Sequence, residues 1–126
     1  MSEDSGIDHR MRLAGLADLS PAEGVPASLL QRDAALVGRF LAGAAQGDGA
    51  GREGVSDDAV AAALALFEDM RTALDRLETQ VVIEARRRGM EWRHIASHQG
   101  MKSSQAASQR YQRLVTRLEE IRQGIR

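Results

Sequence analysis

The spacing of apolar residues divides this chain into segments of different character. From Met1 to about Gly24 no period holds. Within that stretch Ser20-Pro21-Ala22-Glu23 predicts a single helical turn, with Ser20 as N-cap and Pro21 at the first helical position, before Pro26 cuts it short. From Pro26 onward Leu29, Leu30, Asp33, Leu36, Val37, Phe40, Leu41 and Ala44 recur at steps of three and four, which predicts a helix ending near Ala45 with Asp33 as the one flaw in its apolar stripe. Gln46 to Val55 holds four glycines in ten residues and reads as a flexible connector. Ser56 or Asp57 then caps a helix that meets no Gly or Pro until Gly89. At ~1.5 Å per residue this helix spans roughly 45 Å. Val60, Ala63, Phe67, Met70, Leu74, Leu77 and Val81 form a heptad seam along it. Such a helix is too long for a chain of 126 residues to cover easily, so either the helix of residues 26–45 folds back over it or a second subunit does.

Beyond Gly89 the pattern becomes sparse. Glu91 to Gln99 predicts a two-turn helix with Trp92, Ile95 and Ala96 on one face. Gly100 supplies a left-handed residue that stops it, Met101 turns back inward, and Ser103 or Ser104 caps the next helix, which runs to about Gln123. On a helical wheel Tyr111, Leu114, Leu118, Ile121 and Ile125 fall within about 40° of Ala107, whereas Gln105, Gln109, Gln112 and Thr116 lie opposite. A small residue for a close helix crossing, a glycine in the bend and an apolar residue just after it make the layout of a helix-turn-helix. The expected fold is all-α: a flexible acidic segment (1–25), a packing helix with its Gly-rich linker (26–55), and a long helix carrying the helix-turn-helix (56–126).

Composition sharpens this. Aromatic residues are only 3% while Ala, Leu and Arg are abundant, a mixture of high helix propensity without long β-branched runs. The absence of cysteine excludes disulfides, thiolate catalysis and Cys-based zinc sites. No run of apolar residues reaches membrane-spanning length, and the polar, acidic N-terminus lacks a signal-peptide layout, so a cytoplasmic, nucleoid-associated protein with no membrane partner is expected. One lysine against sixteen arginines suggests high-GC, bacterial coding. The net charge of −1 hides a split: residues 1–78 carry −7 and residues 79–126 carry +6. A basic back half points to an anionic partner, and with the bend and the glutamine face this means double-stranded DNA.

The base-reading candidates are Ser104, Gln105, Ser108, Gln109 and Gln112, because a glutamine side chain offers a donor and an acceptor together to the major-groove edge of adenine. Arg86, Arg87, Arg88, Arg93, Lys102, Arg110, Arg113 and Arg117 are the phosphate candidates, which hold register without reading sequence. A two-fold homodimer would place two such helices ~34 Å apart and read a palindromic site.

Arg86-x-x-Gly89-x-x-Trp92-x-x-Ile95-Ala96, then Gly100, Ser104-Gln105-Ala106-Ala107 and Arg110-Tyr111, resemble a group of small actinobacterial helix-turn-helix proteins that includes transcriptional regulators of the HSP18 type. The resemblance covers roughly residues 79–115 and implies DNA binding, with the recognition helix starting near Ser104. This sequence departs from the group at Gln99, where an apolar residue is usual, and at Ser104, where an arginine is common.

Other chemistries find less support. His94 and His98 stand four apart with Glu91 one turn earlier, but no third firm ligand follows, so neither a metal nor any other cofactor is expected. No spacing suggests a Ser-His-Asp arrangement and no Gly-rich phosphate loop follows a strand, so no catalytic residue is assigned and the chain is not read as an enzyme. The competing reading is an adaptor or anti-sigma-like protein that docks on the transcription machinery and uses the helix-turn-helix as a scaffold.

Overall fold

A computed structural model describes residues 9–16, 25–46 and 56–124, and every regular element among them is helical. α1 covers 9–14, α2 Pro26–Gln46, α3 Asp57–Arg87, α4 Trp92–His98 and α5 Ser104–Arg122. The all-α expectation holds. α1 lies where no periodicity predicted an element, and its region leaves Met11, Leu13 and Leu16 largely exposed. The turn expected at Ser20 and nearly all of the Gly-rich connector lie outside the described residues.

Local chemistry explains where the helices start and stop. Ser56 accepts from the Ala59 amide at 3.2 Å, while Asp57 and Asp58 place negative charge at the positive end of α3. Ser103, rather than Ser104, caps α5 by accepting from the Ala106 amide at 3.1 Å. α3 and α4 end in the same way. At the end of α3 the Gly89 amide donates to the Arg86 carbonyl and the Met90 amide to that of Ala85; at the end of α4 Gly100 donates to Ser97 and Met101 to Ala96. Each is the paired closure that needs a left-handed residue, and the two glycines sit at φ 85° and 73°. Both are followed by a methionine; Met101 packs back against the core, whereas Met90 stays exposed.

α2 packs along α3, and α4 and α5 pack on each other and on α3 toward its C-terminal end. The tightest core forms there, from Val82 of α3, Ile95 and Ala96 of α4 and Ala107 of α5. Ala85, Trp92, Met101 and Tyr111 close around it. Ala96 and Ala107 are each only 2% exposed, so the helices approach as closely as alanine side chains allow.

The α2–α3 contact differs from the predicted one. Asp33, read as a flaw in the stripe, is buried on the contact face, with Arg32 Nε 3.6 Å from its carboxylate. Leu36 and Leu41, counted as buried, are exposed. The predicted seam of α3 is split as well: Ala63 is buried, Met70 and Leu77 are half-buried, and Val60, Phe67, Leu74 and Val81 are exposed together with Leu64. The difference arises because α2 and α5 lie on the largely opposite side of α3, through Thr72, Ala73, Arg76 and Thr79.

Candidate nucleic-acid interface

The candidate surface is built on the outer side of α5. Ala107 and Leu114 are buried and Tyr111, Leu118 and Ile121 half-buried, which fixes the rotation of the helix. Gln105, Gln109, Gln112 and Thr116 therefore project into solvent, and Ser104 is exposed at the first residue of the helix. Ser108 is half-buried at the edge of this face. The chain bends at Gly100 instead of continuing as one rod, and α5 begins clear of α4.

The cations are distributed unevenly around that face. Lys102 and Arg113 are exposed and make no ion pair among the described residues. Arg93 reaches Glu91 at 3.3 Å. Arg87 and Arg88 both bind the Glu84 carboxylate, Arg87 at 2.7 Å, and these hydrogen bonds hold Glu84 below the ordinary carboxylate range. Arg86 donates to the Met90 carbonyl at 2.9 Å and lies over the Trp92 ring, with 5.0 Å from its guanidinium carbon to the ring centre. Trp92 in turn contacts Tyr111, their ring centres 5.7 Å apart. Arg86 thus ties the end of α3 to α4, and through Trp92 to α5.

Besides Arg86, two more of the phosphate candidates are directed elsewhere. Arg110 turns inward and forms two hydrogen bonds to Glu78 of α3, at 2.5 and 2.8 Å. Those bonds raise its pKa above the ordinary guanidinium value, against the opposing effect of burial. Arg117 bridges Glu68 at 3.0 Å and Asp75 at 3.3 Å. Both side chains fasten α5 to α3, because they stand about two turns apart on the side of α5 that faces the acidic flank of the long helix. Their sequence assignment as phosphate contacts gives way to a positioning role. The cations left on the outside are Lys102 and Arg113, with Arg87, Arg88 and Arg93 held only by exposed partners.

Glu78 escaped the sequence reading. It also accepts from the Gln99 side-chain amide at 3.0 Å, so a single carboxylate joins α3, the bend and α5. The three partners are 21 and 32 residues apart, beyond any helical period. The available signal was Gln99 itself, a polar residue at a position that wants an apolar one. Its side-chain oxygen is buried without a donor.

Beside this network lies an open groove of about 790 Å³, with Leu74, Leu77 and Val81 on its α3 wall and Met90 and Met101 among the residues facing them. His94 and His98 are exposed on α4, and among the described residues no group of three or more His, Asp or Glu side chains is arranged to hold a metal. No described helix is long and apolar enough to cross a membrane. No protein-family model, curated protein or solved structure matches this chain.

Proposed function

We propose that residues 92–122 form a helix-turn-helix that binds double-stranded DNA, with α5 as its recognition helix, and that the protein is a transcriptional regulator working as a dimer. The observation that carries this reading is the exposed amide face of Gln105, Gln109 and Gln112 on a helix whose opposite face is fixed in the core. Ser104, Ser108 and the three glutamines would meet base edges, while Lys102, Arg113, Arg87, Arg88 and Arg93 would meet phosphates. Arg86, Arg110 and Arg117 orient α5 from behind. The adaptor reading draws on a different observation, the apolar groove beside α3, which offers a protein surface rather than an anionic one.

Binding to generic duplex DNA across a salt series separates the two. About five phosphate contacts per protomer predict a log–log slope of about −4.5 for one bound protomer and about −9 for the dimer. A flat response, or no binding at low salt, supports the adaptor. Within the DNA reading, Arg113→Ala should weaken binding to all sequences and reduce the slope by about one while leaving the melting temperature unchanged. Arg110→Ala should lower both affinity and melting temperature, because it leaves Glu78 half-buried without its main partner. Gln109→Ala should chiefly relax preference at one or two base pairs.

A further inference from the structure

The open face of α3 has the pattern of a helix that pairs with another. Val60, Leu64, Phe67, Leu74 and Val81 are between 39% and 68% exposed. With exposed Arg71, and with Glu78, which Arg110 and Gln99 already hold at the edge of this face, they follow alternating four- and three-residue steps, the seam of a two-stranded coil. The five apolar residues leave on the order of 500 Å² uncovered, the upper range for a patch on a monomer and more than half of the ~800 Å² per partner in a standard interface.

The two halves of this face differ in shape. The N-terminal half carries the exposed side chains of Val60, Leu64 and Phe67. The C-terminal half borders the groove between Leu74, Val81, Met90 and Met101. Charge follows the same division, with Asp57 and Asp58 in the first turn and Arg86 and Arg87 in the last. Parallel pairing of two α3 helices would bring like charges together at both ends. Pairing in opposite directions sets the acidic start of one helix against the basic end of the other and aligns their dipoles favourably.

We infer that the occupant of this groove is the N-terminal half of α3 from a second copy of the chain. Two α3 helices pair antiparallel around residues 71–74, so that Leu64 of each chain lies against Val81 of the other. The flexible methionines adapt to the inserted side chains. Arg71 is the polar break near the centre, a device that fixes register at some cost in stability.

This deepens the proposed DNA-binding reading, since α4 and α5 are anchored on α3 at Val82 and Ala85. Antiparallel pairing about residues 72–73 separates the two sets of anchors by roughly 28–38 Å along the shared axis, a range that contains the ~34 Å repeat of DNA half-sites. The surface argument stands on α3 alone, whereas the spacing rests on the DNA reading.

Sedimentation of the full chain without DNA tests the pairing. A dimer is expected at tens of micromolar, and Leu64→Glu should convert it to a folded monomer by circular dichroism. Should Leu64→Glu unfold, Val81→Lys serves in its place. Because the chain has no cysteine, Leu64→Cys and Val81→Cys report direction. Mixed and oxidised they should form a covalent dimer, and Val81→Cys alone should not. A wild-type monomer, a dimer indifferent to both charge substitutions, or efficient cross-linking of Val81→Cys alone overturns the inference. A monomer that binds DNA with the expected salt slope contradicts the pairing but not the proposed function. A dimer that ignores DNA does the reverse.

Discussion

The two ends of α3 bury apolar surface in different ways. At its C-terminal end, Val82 meets α4 and α5 in a cluster of residues that are almost completely enclosed, and each adjoining helix stop is closed by hydrogen bonds through a glycine. At its N-terminal end, the contact with α2 buries chiefly Asp33, Val37, Ala63 and Ala73, while Leu36, Leu41, Val60, Leu64 and Phe67 stay exposed. The first arrangement is complete within one chain. The second is an amphipathic pair with more apolar faces than the chain itself covers, so its geometry makes sense when another surface completes it. A long helix can therefore serve two purposes along its length, holding a compact module at one end and presenting an interface along the rest.

Truncation tests that contrast most strongly. Ile95→Ala removes an enclosed side chain from the tight cluster and should cost about 2–4 kcal/mol in urea unfolding. Leu64→Ala, at 66% exposure, should cost the isolated protomer less than about 0.5 kcal/mol and act instead on association. Equal losses at the two positions would mean that the ends of α3 are alike after all.

Gly100→Ala comes next. Nothing lies within 4 Å of where its Cβ would stand, so the penalty is conformational, from the left-handed backbone at φ 73°. About 1 kcal/mol of destabilisation is expected in the same unfolding assay. A much larger loss would show that the bend is crowded and that the closure does not depend on backbone conformation alone.

The smallest expected effect has the opposite sign. Thr79 is buried at the α3–α5 contact and its hydroxyl has no hydrogen-bond partner. Thr79→Val keeps the shape and removes the unmet polar group, which should raise stability by about 0.5–1 kcal/mol. A loss on this substitution would indicate that the hydroxyl is satisfied by water.

What could be read from the sequence follows the range of the forces concerned. The bounds of α2, α3, α4 and α5 were visible because caps, glycine stops and three- and four-residue periods act within a turn or two. The outward position of Gln105, Gln109 and Gln112 was visible for the same reason, since the apolar face of α5 is continuous from Ala107 to Ile121. The direction of Arg110 and Arg117 was not, because it depends on Glu78, Glu68 and Asp75, which lie 32–49 residues away and meet α5 only once the helices have packed. The α3 seam was half legible. Its period was clear, but two faces about 40° apart, sharing Val60, Phe67, Leu74 and Val81, both satisfy a heptad, and only the placement of the other helices decides which remains open. Asp33 misled for a related reason: an acidic residue in an apolar stripe looks like an error until packing gives it a place.

The central claim is that the amide face of α5 enters the groove of duplex DNA. Side-chain amide resonances of the glutamines, followed by NMR while a short duplex is added to the full chain, address it most directly. The account predicts that Gln105, Gln109 and Gln112 shift and broaden at low salt, with Lys102 and Arg113 moving alongside, while Gln80 and Gln99 stay in place. Unmoved signals from α5 with shifts confined to the α3 seam and its groove would contradict it.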